Sequence, residues 1–183
     1  PRSNQEKIKK KSKNKSKKNP RKIFVKNTLE TFSNLSCIIR KSLGTPIVAI
    51  TGSAGKTSLK ELIGQRLNTL IPTSYSKKSF NNQYGVPLSL FNIDMKHKIG
   101  VFEIGMDRKG EIHKLSNLIK PDIGVITNIS YAHIKNFNSL RGIAEAKAEI
   151  IKNITSGGRI ILNADDVFYN FFKERALKTG LKI

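Results

Sequence analysis

Residues 47–58, IVAITGSAGKTS, constrain this chain more than any other stretch. Ile47, Val48, Ala49 and Ile50 are a continuous apolar run, which predicts a short buried strand. Thr51, Gly52, Ser53, Ala54 and Gly55 then make a tight turn of small residues. Lys56, Thr57 and Ser58 open a segment in which Leu59, Leu62, Ile63, Leu67 and Leu70 recur at helical spacing, predicting one apolar helix face. A strand, a glycine loop and a helix start together form a phosphate cradle. Backbone N–H groups face the anion, the helix dipole favours it, and the lysine adds a mobile positive charge. The hydroxyl directly after the lysine is placed to ligate Mg²⁺. The usual G-x-x-x-x-G-K-[ST] spacing has glycine where this chain has Ile50, so the loop is a T-G-S-x-G-K-T variant. An ordinary small-residue turn accounts for Gly52 and Gly55. It does not account for a lysine and two hydroxyls grouped at the helix start.

The 183 residues suffice for one domain with a real core, and 38% hydrophobic content with a mean hydropathy of −0.34 fits a soluble globular protein. No apolar run approaches the length of a membrane span, and no secretory signal is visible. One cysteine, Cys37, excludes an internal disulfide framework and suits a reducing cytoplasm. It reads as a small apolar residue on a helix. The formal net charge of +21 invites a nucleic-acid reading. Against it, only eight of the 34 basic residues are arginine and aromatics make up 7% of the chain. Base recognition leans on arginine forks and stacked rings.

Along the chain, residues 1–22 are a lysine-rich segment that reads as solvated, with a nucleic-acid or acidic-membrane tail as the minority alternative. The piece Ile23-Phe24-Val25 is strand-like. Leu29, Phe32, Leu35 and Ile39 share one helix face. Asn81 and Asn82 precede Gly85-Val86-Pro87, a polar loop leading into a helix with proline in its first turn. Paired asparagines are commonly turn formers. Residues 98–105 predict a second buried strand with Glu103 near its end. A carboxylate there needs a partner or a metal, unless the strand is an edge and Glu103 faces water. A helix aligned on Ile112, Leu115, Leu118 and Ile119 stops before Pro121. Residues 122–129 predict a third strand running into Ser130, Tyr131, Ala132 and His133.

Residues 140–151 predict a helix in which Lys147 shares the apolar stripe of Ile143, Ile150 and Ile151. A buried lysine is paired, neutral or modified, unless its stem snorkels to water. A fourth strand at residues 159–163 and a last helix to about Lys178 complete the pattern. His97 and His113 lie among polar neighbours and carry no site assignment. Strand and helix alternate throughout, so the expected fold is α/β: a mostly parallel sheet with helices on both faces, an incomplete P-loop-type nucleotide-binding domain. Lys56, Glu103, Asn128 and His133 then converge on the rim at the strands' carboxyl ends, where such sheets bind ligands.

The segments TGSAGKTS, NNQYGVP, EIGMDRKGEI, ITNISYAH and IAEAKAEI, in this order, resemble the central ATP-binding domain of the Mur ligases. The E-I-G-x-x-x-x-G-E-I and A-K-x-E-I segments are most similar to the branch that joins D-alanyl-D-alanine to UDP-N-acetylmuramoyl-tripeptide in peptidoglycan synthesis. The resemblance implies ATP-dependent amide-bond formation through an acyl phosphate, with ATP and Mg²⁺ as cofactors, by a cytoplasmic, monomeric ligase without a membrane span or a nucleic-acid partner. It implies that Gly52, Ser53, Ala54, Gly55, Lys56, Thr57 and Ser58 wrap the ATP phosphates. It makes Lys56, Lys147 and His133 catalytic. Thr57, Glu103, His133 and Lys147, the last as a carbamate, would be metal ligands, and Asn81 and Asn82 would lie at the substrate. The same likeness divides the chain into residues 1–44, a lysine-rich segment with a remnant of the N-terminal substrate domain, and residues 45–183, the central domain truncated at its C-terminus. The chain is then expected to be inactive by itself. A relative with another amino-acid or folate acceptor, and a non-catalytic basic nucleic-acid binder, are the alternative functions.

Overall fold

The computed structural model describes residues 22–131 and 136–183. Strand β1 (Ile47–Thr51) is buried along its whole length, as its unbroken apolar sequence requires. It lies between β3 (Ile99–Glu103) and β4 (Ile123–Ile126). The short strand β2 (Thr73–Tyr75) lies outside β3, and β5 (Arg159–Leu162) outside β4. All five strands are parallel, in the order β2-β3-β1-β4-β5. Successive connections reverse direction across β1, so its carboxyl end is the crevice where an α/β sheet binds ligands. The register pairs Ile50 with Glu103 and Thr51 with Ile126, which brings the ends of three strands level at that crevice.

The strands alternate their side chains between two layers. Val48, Ile50, Val101 and Val125 meet Leu59, Ile63 and Leu67 of helix α2 (Lys56–Asn68). Ile47, Ala49, Phe102 and Ile126 face the other way, into the larger core. That core is closed by α3 (Gly85–Phe91), α4 (Glu111–Ile119), α5 (Leu140–Lys147) and α6 (Tyr169–Lys178). Helix α1 (Thr28–Ser42) lies outside them and stacks Phe32 on Phe91 of α3, ring centroids 4.8 Å apart. Arg40 of α1 reaches the amino edge of the sheet, donating to the carbonyls of Ile119, Leu43 and Lys120 and to the Asp122 carboxylate. That carboxylate also accepts the Ile47 N–H at the start of β1. On the same edge, residues 92–98 turn from α3 into β3, with Met95 87% exposed at the tip.

Five details differ from the sequence expectations. Ile23, Phe24 and Val25 form no strand and stand exposed, and none of the described strands pairs with them. In α1, Ser36 takes the buried position and Leu35 is exposed. In α2, Leu62 points outward and Leu70 falls past the helix end, so both are exposed; Lys60 and Gly64 complete the buried face instead. Gly64 is needed there, since a Cβ would run into the Tyr75 ring. The helix expected over residues 140–151 tightens after Lys147 into a 3₁₀ turn, Ala148–Asn153, with Ile143, Lys147, Ile150 and Ile151 all buried as expected. Strand β2 was not anticipated: three residues, all of them bearing hydroxyls, on an edge give no apolar run to read.

Candidate functional site

Between β1 and α2 the chain folds into a loop that only its own residue types permit. Gly52 has φ +150°, and a Cβ there would overlap the Thr127 hydroxyl. Gly55, at φ +78°, is the left-handed N-cap of α2 and offers no side chain to its first turn. The free N–H groups of that turn, with the helix dipole behind them, face the loop. The segment leaving β4 holds the loop from the other side. Asn128 accepts the Ser53 N–H on its carbonyl at 2.9 Å and the Ala54 N–H on Oδ1 at 3.0 Å. Thr127 Oγ1 donates to the Ala54 carbonyl at 2.7 Å. Ser53 Oγ accepts the Ser130 N–H at 2.9 Å and donates to the Ser130 carbonyl at 3.2 Å. Asn128 therefore shapes the loop through hydrogen bonds, and Thr127 and Ser130 join it without having been singled out in the sequence.

Two lysine side chains converge on one carbonyl. Lys56 Nζ donates to Gly52 O at 2.9 Å and to Ser53 O at 3.4 Å, and Lys147 Nζ donates to the same Gly52 oxygen at 2.9 Å. Lys147 is 1% exposed, so its stem does not snorkel to water. Burial, and behind it the charge of Lys56, lowers its pKa to about 7. Burial also lowers the Lys56 pKa, against the opposing pull of Glu103. Glu103 is fully buried at the end of an internal strand, so it is not a solvent-facing edge residue. Its Oε1 accepts from Asn81 Nδ2 at 2.8 Å, and its Oε2 has no hydrogen-bond partner among the described residues. An orphaned, buried carboxylate oxygen suits a hard cation, and the Thr57 hydroxyl at the start of α2 is a donor of the same type. Thr57 Oγ1 lies 3.5 Å from Ser79 Oγ. Among the described residues no three His, Cys, Asp or Glu side chains gather as a cage. Mg²⁺ takes few protein ligands and keeps water and phosphate oxygens, so this donor set fits it.

Beside the loop opens a cleft of about 360 Å³, lined by Lys56, Asn81, Asn82, Tyr84, Met106 and Lys114 among others. Asn82 spends its Oδ1 on the Tyr84 and Gly85 N–H groups, starting α3. His133 lies outside the described residues. His97 Nδ1 meets Asp94 and His113 Nδ1 meets Asn153, both in local contacts away from the loop. Other residues act in ways the sequence did not announce. Glu111 accepts the Asp107 and Arg108 N–H groups and folds the turn before α4. Glu149 accepts those of Gly110 and His113, capping α4 from across the core. Asp166 accepts the Ile129 N–H at 2.7 Å and steadies the segment beyond Asn128. The spacing of Gly110, whose αL helix start has no side-chain cap, is the one signal that a cap must come from elsewhere.

Residues 50–183 match the profile of the Mur ligase middle domain. The UDP-N-acetylmuramoyl-tripeptide–D-alanyl-D-alanine ligase of Bacillus subtilis is 40% identical over 144 residues, 79% of this chain and 32% of that protein. A crystal structure of MurF from Acinetobacter baumannii superposes with a TM-score of 0.82 at 33% identity, over 85% of this chain and 35% of that one. MurF ligase from Thermotoga maritima, solved in complex with ADP, gives 0.77 at 27% identity, over 86% and 36%. The chain thus spans about a third of the length of the relatives it matches. With the glycine loop, the parallel sheet and the profile in agreement over most of its residues, the chain belongs to the Mur ligase family.

Proposed function

We propose that this protein is the ATP-dependent ligase that joins D-alanyl-D-alanine to UDP-N-acetylmuramoyl-tripeptide, activating the tripeptide carboxylate as an acyl phosphate. The names of its relatives support the substrates. The ADP held by the Thermotoga protein supports the nucleotide. The observation that carries the reading is the convergence of Lys56 and Lys147 on the Gly52 carbonyl, beside the unpaired oxygen of Glu103.

Gly52, Ser53, Ala54, Gly55, Lys56, Thr57 and Ser58 wrap the nucleotide phosphates, with the first-turn N–H groups of α2 as donors. The bonds from Thr127, Asn128 and Ser130 pre-set the loop, so little reorganisation accompanies binding. Lys56 neutralises charge that grows on the transferred phosphoryl group. Thr57 and Glu103 would hold Mg²⁺, and His133 a second ion; the metal supplies charge neutralisation on phosphate oxygens. Lys147, whose amine is substantially neutral near pH 7, adds its lone pair to CO₂; an N–C bond forms, a proton leaves, and an anionic carbamate results. Asn81 orients Glu103 and, with Asn82, borders the cleft in which the tripeptide end sits. The protein works in the cytoplasm as a monomer. No helix among the described residues is long and apolar enough to cross a membrane.

The test is direct. The intact protein is incubated with ATP, Mg²⁺, UDP-N-acetylmuramoyl-tripeptide and D-alanyl-D-alanine, and phosphate release is followed with product mass. Stoichiometric phosphate and the pentapeptide product are expected. Phosphate release with a single amino acid or a folate acceptor in place of the dipeptide would reassign the branch.

A further inference from the structure

We propose that Lys60 is a positioning residue for the cation side of the phosphate site. The inference rests on the nucleotide reading above. Lys60 lies one helical turn beyond Lys56, on the face of α2 that meets the sheet, and is fully buried. A buried ammonium is tolerated only when its donors are satisfied. Here Nζ donates to the carbonyls of Ser76 at 2.6 Å and Lys78 at 2.8 Å, and pairs with Glu61. Simple filling of this space would be done as well by a methionine of similar volume. The two carbonyls belong to a strap that leaves the edge strand β2 and runs to Asn81. Lys78 has φ +48°, a conformation a lysine adopts where its surroundings hold it.

The strap touches both candidate cation ligands. Ser76 Oγ accepts the Glu103 N–H at 3.4 Å, Asn81 Nδ2 donates to Glu103 Oε1 at 2.8 Å, and Ser79 Oγ lies 3.5 Å from Thr57 Oγ1. Thr57 stands on α2 and Glu103 on β3, elements that pack on each other through Val101 and are tied together at the site end by this strap. By clamping the strap to α2, Lys60 fixes the spacing of the two oxygens that would share one ion. It touches neither phosphate nor metal itself.

The probe is a β,γ-methylene ATP analogue, titrated into the intact protein by calorimetry in MgCl₂ and again in EDTA. The unsubstituted protein binds more tightly with Mg²⁺. In Lys60→Met, which keeps the volume and removes the donors, this Mg²⁺ advantage falls about tenfold or more, the size seen when groups supporting metal ligands are lost. Affinity in EDTA stays unchanged, because the loop and the start of α2 are untouched. Ser76→Ala with Ser79→Ala removes two of the strap's three contacts with the candidate ligands while leaving the buried ammonium in place, and decides the matter if Lys60→Met does not fold. A retained Mg²⁺ advantage in the folded variants, or an equal loss in EDTA, overturns the proposal and leaves Lys60 a scaffold residue. Absence of any Mg²⁺ advantage in the unsubstituted protein overturns the nucleotide reading, and this inference with it.

Discussion

Gly52 sits under three demands at once. Its φ is one that side-chain-bearing residues avoid, its missing Cβ makes room for the Thr127 hydroxyl, and its carbonyl receives both Lys56 and Lys147. Gly52→Ala should therefore destabilise the fold by about 1–3 kcal/mol, the range for overpacking a tight site. Urea denaturation measures it, and adding Thr127→Ala should restore part of the loss. Full stability in the single variant would mean that the loop relaxes freely. Lys56 is the residue whose loss should be chemical rather than structural, since it is half-buried and its contacts are local. Lys56→Ala should lower the ligase turnover of the intact protein by about 10²–10³, the effect of deleting one charge-stabilising group. Turnover near normal, read from phosphate release, would remove the loop lysine from the reaction.

At the level of elements, strand ends and helix starts carry the site, and neighbouring elements supply the caps that local sequence lacks. Helix α4 begins at Gly110, which has no side chain to cap it, and the cap is Glu149 from the 3₁₀ turn. Glu149→Ala should cost about 1 kcal/mol, as loss of a helix cap does, and lower the melting temperature. An unchanged melting curve would show that water replaces the carboxylate. This bond also explains what could and could not be read from the sequence. Strands β1, β3 and β4 were legible because buried parallel strands are written as apolar runs, and the edge strand β5 because Ile160, Ile161 and Leu162 still make one. Lys147 stood out because a charge broke an apolar stripe. Lys60 stayed hidden because charge at a helix surface is ordinary, and only the fold reveals that this surface meets the strap after β2. Leu62 misled for the converse reason: its spacing suits a helix, but α2 turns only a narrow face to the sheet. Glu149, Asp166 and Thr127 act across long sequence separations, and periodicity holds no trace of such pairings.

For the molecule as a whole, Lys147 makes folding itself sensitive to pH. Its folded pKa of about 7 lies below the ordinary lysine value of about 10.4. Between these values the unfolded chain holds more protons than the folded one, so this group's contribution to stability rises with pH. Below about 7 the folded protein carries the full penalty of a buried charge. Lys147→Met should accordingly gain most over the unsubstituted protein at pH 6, with the gap narrowing towards pH 9 in CO₂-free buffer. A gap that does not vary with pH would assign the lysine an ordinary titration. The parallel sheet has a more practical consequence. With every carboxyl end on one edge, the turn at residues 92–98 belongs to the opposite edge, and Met95 at its tip is 87% exposed. A dye or a surface tether attached there, through Met95→Cys with Cys37→Ser, leaves the rim that carries the glycine loop open. The protein can thus be immobilised in one orientation, its glycine loop facing the solution.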